Sequence, residues 1–173
     1  MEGETKLGRL HEILQAVFEW EDYHLHEFQA GGRVYGAPGA EDAAEGRVVQ
    51  DERRVALRRV TGRPGARFVY VYDFGDSWEH EIVVEGVVAG DARAAYPRCV
   101  AGARNGSPED AGGPVGYADY VAAVGDPKHP AHREMLEWRG PFEAEAFSVA
   151  KINGRLRRRF GGRTKQGAQP ARG

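Results

Sequence analysis

The chain has 173 residues, of which 41% are hydrophobic and 29% charged, and a formal net charge of −2 at pH 7. That length suits a single domain with a sizeable core, and no run reaches the roughly 20 apolar residues of a membrane-spanning helix. Cys99 is the only cysteine, which excludes an internal disulfide and an all-cysteine zinc centre. The N-terminus, MEGETKLGRL, lacks an apolar signal region, so a cytoplasmic protein without a membrane partner is the simplest expectation.

Taken in chain order, residues 1–6 are expected to be disordered. Leu7, Leu10, Ile13, Leu14, Val17 and Phe18 recur at i, i+3, i+4 spacing and predict a helix from Leu7 to Trp20, with Thr5 as its N-cap. YHLHEF, residues 23–28, alternates as a strand does. Ala30-Gly31-Gly32 then turns the chain into a short strand over Arg33 to Tyr35. Residues 36–52 read as a mobile acidic loop. Arg53 to Val60 fits either a short strand or a turn of helix.

The densest signal is RFVYVYDFGDSWEHEIVVEGVV, Arg67 to Val88. Phe68, Tyr70 and Tyr72 alternate with Val69 and Val71, and Trp78, His80, Ile82 and Val84 alternate with glutamates. Two strands joined by an acidic turn follow, with the Trp78 face buried and the glutamate face wet. Gly75 is the residue expected to take positive φ in that turn. Ala101 to Gly116 is a long Gly/Pro-rich loop. Helices are expected over Tyr117–Val124, Pro130–Trp138 and Phe147–Phe160, and residues 161–173 as a disordered basic tail. The fold expected is α+β: an antiparallel-rich sheet centred on the long hairpin, with helices on one face, in a single domain over 7–160.

YHLHEF, YVYDFGDSWEHEIVVE, YPRCVAG, SPEDAGGPVGYADY, HPAHREMLEW and EAFSVAKINGRL, in this order, resemble the plasmid pRiA4b ORF-three-like family over about residues 7–160. Some of its members are labelled transposon passenger or TnpR proteins. The resemblance implies an α+β domain from a bacterial mobile-element setting and implies no particular reaction. Two departures stand out. Members begin with a strand carrying a Pro-Pro-x-Trp-Arg-type stretch, whereas this chain starts at the first helix, so either the start codon is misassigned or one strand is missing and leaves an exposed sheet edge. Many also carry cysteines where this chain has Gly106 and Ala111, so a zinc site built on them is not expected.

The candidate site residues each carry two readings. His24 and His26, two apart on one strand, can supply two metal ligands, completed by His80, Asp73 and Asp76 if the hairpins are neighbours. Otherwise they bond backbone or carboxylates at a sheet face. Asp73 and Asp76 can act as an acid–base pair or simply bond their own turn. Trp78 is either core or a stacking platform. Cys99 has no base near it in sequence and reads as a small buried hydrophobe. Glu109 and Asp110 after Ser107-Pro108 read as a helix start, or as part of a ligand loop with Gly112-Gly113.

Residues 151–173 hold eight Lys or Arg and no acid, which leaves 16 basic against 26 acidic side chains in the first 150. Arg155, Arg157, Arg158 and Arg159 are read as spread around their helix, able at most to contact phosphates nonspecifically. Three functions follow from these readings. The first is a noncatalytic binding or accessory module with a protein or nucleic-acid partner. The second is a metal-assisted hydrolase using a divalent ion at His24, His26, Asp73, Asp76 and His80, with Glu109 or Asp110 brought over. The third is a nonspecific DNA-binding accessory protein.

Overall fold

The alternation in RFVYVY places Phe68, Tyr70 and Tyr72 on one face of a strand, and a computed structural model, which describes residues 3–91 and 93–161, builds the sheet around them. Its elements are α1 (Leu7–Phe18), β1 (His26–Ala30), β2 (Arg33–Gly36), α2 (Ala40–Ala44), β3 (Val49–Asp51), α3 (Arg58–Thr61), β4 (Arg67–Tyr72), β5 (Trp78–Val83), α4 (Gly113–Gly125), α5 (His132–Arg139) and α6 (Val149–Phe160). The sheet order is β3-β2-β1-β4-β5. All neighbours are antiparallel except β2 and β3. The fold is α+β with a mostly antiparallel sheet, as the sequence implied.

Register explains the core. Phe28 pairs with Tyr70 and with Tyr35, Tyr70 with His80, and Tyr72 with Trp78. Directly paired residues share a face, so one aromatic face runs across four strands. Leu7, Leu10 and Trp20, from α1 and the residues after it, cover that face. The outer side of α1 packs Ile13 and Ala16 against Ile152, Leu156 and Phe160 of α6. Helix α1 is therefore sandwiched, which explains why it buries the polar His11 and Gln15 as well as its apolar stripe. Ser148 caps α6 by accepting the Lys151 N–H at 3.3 Å.

Several expectations are corrected. Residues 36–52 are not a simple loop: they contain α2 and β3. Asp42 accepts the Gly39 N–H at 2.9 Å and starts the short helix. Arg47 then pairs with Asp42 and with the buried Glu27 on the outer face of the sheet, which folds the segment back as a parallel strand. Residues 3–6 are held as well: Arg58 N donates to Gly3 O at 3.0 Å and Leu57 N to Thr5 O at 2.7 Å. Lys6, not Thr5, is the N-cap of α1, without a side-chain bond. Residues 53–60 resolve as a helical turn entering α3, and α4 starts at Gly113, ahead of the expected Tyr117. Apart from Gly161, the expected basic tail lies outside the described residues. No helix among the described residues is long and apolar enough to cross a membrane.

Candidate functional site

The acidic turn of the hairpin and the Ser-Pro-Glu-Asp-x-Gly-Gly loop interlock. Asp73, not Gly75, takes the left-handed conformation (φ 57°), together with Ser77 (φ 53°). An aspartate tolerates that region better than most residues because its short carboxylate can bond locally. Here Asp73 Oδ1 accepts the N–H groups of Gly75 at 2.9 Å and Asp76 at 3.2 Å. Asp76 reaches outward instead, and its Oδ2 accepts the Gly112 N–H at 2.9 Å, just before α4. Gly112 and Gly113 both have positive φ, and a Cβ on Gly113 would collide with the Asp76 carbonyl. A Cβ on Gly116 would collide with the Ala111 carbonyl. The glycine spacing thus records a close backbone contact between turn and loop.

Glu109 is the buried centre of this junction, 6% exposed. Its carboxylate accepts the Tyr72 hydroxyl and, at 2.9 Å, the Glu21 N–H. Burial, reinforced by that carboxylate, pushes the Tyr72 hydroxyl well above its ordinary pKa, so it stays a donor. Trp20 Nε1 donates to Ser107 O at 2.9 Å and Arg139 to Glu109 O at 3.1 Å. Glu109 and Asp110 are consequently not the first turn of a helix, and Asp110 instead has φ 58°.

The five residues expected to share a metal site are divided among separate places. Strand β1 begins at His26, so His24 lies before it and is not its same-face neighbour. His24 Nε2 is 3.0 Å from Asp110 Oδ1 and 3.6 Å from Asp73 Oδ2, and these three residues offer ligand atoms all within 4.8 Å of one another. His26 points toward α1 and bonds Glu52 at 3.0 Å. His80 sits under Phe18 and Trp20, at 4.7 and 5.4 Å between ring centroids, where burial lowers its pKa. Trp78 is half-buried between Trp20 and Tyr117, and its Nε1 is buried without a hydrogen-bond partner among the described residues.

One cluster escaped the sequence reading. His11 stacks on His26 with centroids 3.4 Å apart and planes 2° from parallel. Gln15 Nε2 donates to the Tyr70 oxygen at 3.1 Å. The Tyr70 proton is then directed to His11 Nδ1 at 2.8 Å, and His11 Nε2–H donates to Asp22 at 2.9 Å. The Asp22 N–H returns to Gln15 Oε1 at 3.1 Å, closing a ring of bonds. That ring assigns a neutral His11, which burial and the adjacent His26 both favour by lowering its pKa. Ligand atoms of His11, Asp22 and His26 also lie within 4.8 Å of one another, but both His11 nitrogens are already used. The available signal was position: residues 11 and 15 continue the Leu7 stripe at i+4 and i+8.

Two clefts flank these clusters. The larger, about 490 Å³, lies between α4 and α5 and is lined by Asp110, Asp119, Tyr120, Glu134 and Trp138 among others. Tyr120 is 3% exposed, burial raises its pKa, and its hydroxyl has no hydrogen-bond partner among the described residues. The other, about 380 Å³, lies where α6 meets the end of α1. Arg155, Arg158 and Arg159 share it at i, i+3, i+4 spacing, so these arginines do form a stripe, which corrects the scattered reading. Arg155 is held 2.5 Å from Glu19, and its pKa is lowered, first by burial and then by Arg158. Cys99 packs beside the α1–α6 core, with its N–H donated to Asn153 at 2.8 Å.

A family model described as plasmid pRiA4b ORF-3-like protein matches residues 1–151, a span that begins before α1 and ends within α6. The uncharacterized protein y4hQ of Sinorhizobium fredii is 38% identical over 151 residues, covering 86% of this chain and 76% of that protein. A crystal structure of a protein of unknown function, MM3350 from Methanosarcina mazei Go1, superposes with a TM-score of 0.75 at 30% identity, covering 87% of this chain and 84% of the other.

Proposed function

The chain belongs to the plasmid pRiA4b ORF-3-like protein family, and on that premise we propose that it is a noncatalytic binding module whose ligand seat is the α4–α5 cleft. The observation that carries this reading is the fate of the acidic loop. Both oxygens of Glu109 and one oxygen each of Asp73 and Asp76 are engaged by backbone N–H groups and by Tyr72. A general base must reach a substrate proton, and Glu109 and His80 are covered by aromatic side chains and the loop itself. These groups fix α4 onto the sheet and so set the shape of the cleft beside it. A volume of about 490 Å³ lies within the range of small-ligand sites.

The test is a set of single alanine variants at Asp76, His80 and Glu109, followed by thermal unfolding. Lower melting temperatures in all three support a scaffolding role for these residues. Variants that melt like the parent contradict it.

A second reading is favoured by one observation, the convergence of His24, Asp73 and Asp110 within 4.8 Å. One imidazole and two carboxylates suit a divalent ion such as zinc or manganese, which supplies Lewis acidity and an activated water when bound. Stoichiometric metal in the purified protein that His24→Ala removes supports this reading. Identical unfolding of the parent with and without a panel of divalent ions contradicts it.

A further inference from the structure

We propose that the cleft where α6 meets the end of α1 is a separate binding site, which takes a small phosphate monoester between Arg155, Arg158 and Arg159. The three arginines line a concavity of about 380 Å³, and their i, i+3, i+4 spacing keeps them on one helix face. Glu19 is the one carboxylate in that lining, which leaves two positive charges uncompensated. Glu19 lies 2.5 Å from Arg155 Nη1. Arg158 and Arg159 are exposed and have no ion pair among the described residues. Elsewhere on this molecule arginines are commonly paired: Arg47 with Glu27 and Asp42, Arg67 with Glu81, Arg104 with Glu145.

The helix dipole accounts for only part of this arrangement. Arg157, Arg158 and Arg159 stand in the last turn of α6, where a cation complements the helix end. Arg155 precedes that turn. Its side chain is only 20% exposed, and its Nε is buried without a hydrogen-bond partner among the described residues. That nitrogen is too deep to meet a ligand, but its burial shows that the guanidinium is desolvated and held in place. Burial and then the Arg158 charge lower the Arg155 pKa, so two guanidiniums repel each other beside a partly dry wall. An anion seated between them relieves the repulsion, and the walls strengthen the attraction by displacing water. Guanidinium groups bind phosphate oxygens through paired N–H donors. A phosphate monoester carries a charge close to −2 at neutral pH, which balances the uncompensated pair. A nucleic-acid strand fits less well. The first 150 residues carry 16 basic against 26 acidic side chains, so a polyanion extending beyond the cleft meets repulsion.

The test is a titration of the full chain at pH 8 and constant ionic strength, followed by ¹H–¹⁵N amide shifts. The probes are methyl phosphate, a dianion, and dimethyl phosphate, the monoanion that resembles a nucleic-acid backbone. A short DNA duplex forms a third arm. The expected result is saturable shifts of amides in α6 and the end of α1, at least tenfold tighter with methyl phosphate than with dimethyl phosphate. Arg158→Gln combined with Arg159→Gln is expected to weaken that binding at least tenfold with an unchanged melting temperature. Glu19→Gln removes the competing carboxylate and is expected to tighten it, whereas Arg155→Lys keeps the charge, loses the paired donors and is expected to weaken it. Equal affinity for the two phosphates overturns the monoester assignment. Duplex binding that needs the same arginines and that methyl phosphate does not displace overturns the small-ligand assignment in favour of nucleic acid. If methyl phosphate moves no amide of α6 saturably, the site itself is overturned. Amides of α4 and α5 report the other cleft, so either site can fail without the other.

Discussion

The junction around Glu109 and the cleft between α4 and α5 share residues 110–112 yet treat polar groups in opposite ways. At the junction each buried acceptor meets a donor: Tyr72 and Glu21 at Glu109, Gly75 and Asp76 at Asp73, Gly112 at Asp76. In the cleft, Asp119, Glu134 and the Tyr120 hydroxyl have no partner among the described residues. Polar groups that satisfy one another stabilise a fold, whereas Asp119 and Glu134 face solvent and the Tyr120 hydroxyl is buried unmatched. The distinction lies in geometry and not in residue type, since both regions are acidic.

Substitutions can break that contrast. The largest effect is expected for Gly113→Val. Its φ of 67° and the collision with the Asp76 carbonyl add backbone strain to a steric clash, and a loss of about 3 kcal/mol or more is expected in chemical denaturation. Tyr72→Phe should cost less, about 1–2 kcal/mol, because it removes one donor from Glu109 while the Glu21 N–H remains. An unchanged denaturation midpoint in either variant would detach the loop from the stability of the sheet.

A third prediction concerns pH. His11 and His80 both have folded pKa values lowered, chiefly by burial. The unfolded chain therefore binds protons more readily than the folded one. The contribution of these residues to stability is full above the unfolded histidine pKa of about 6.5 and declines as pH falls below it. Urea midpoints measured from pH 8 to pH 5 should be level above about 6.5 and drop below. The drop should shrink in His80→Phe, since that variant carries one fewer buried imidazole, and a profile that the variant leaves unaltered would be inconsistent with this origin. The smallest effect is expected for Asp119→Asn with Glu134→Gln, whose stability should stay within about 0.5 kcal/mol of the parent.

Much of the scaffold was legible in the sequence. Period-two alternation located the β4–β5 hairpin, and the Leu7 stripe located α1, because each pattern reports directly on one buried face. The parallel strand at 49–51 was not legible, since its pairing depends on an ion pair between Arg47 and Glu27, 20 residues apart. The grouping of the site residues failed for a similar reason. His24 and His26 look equivalent by spacing, but the strand begins between them, and one turns to Asp110 while the other stacks on His11. Asp73 bonds its own turn, one of the two readings the sequence offered, whereas the bond from Asp76 to Gly112 links residues 36 apart, a pairing that no local pattern encodes. His11 was hidden because a histidine on an apolar stripe gives no sign of a tyrosine 59 residues away that will meet it.

The most direct measurement is calorimetric unfolding of Glu109→Ala against the parent chain. The substitution leaves the buried Tyr72 hydroxyl and the part-buried Glu21 N–H without an acceptor, a cost of about 3 kcal/mol, which in a chain of this size corresponds to a melting temperature lower by roughly 6–12 °C. That result would establish the acidic loop as a scaffold for the cleft. A variant that melts with the parent would contradict the account, because the Glu109 carboxylate would then be free of a structural duty.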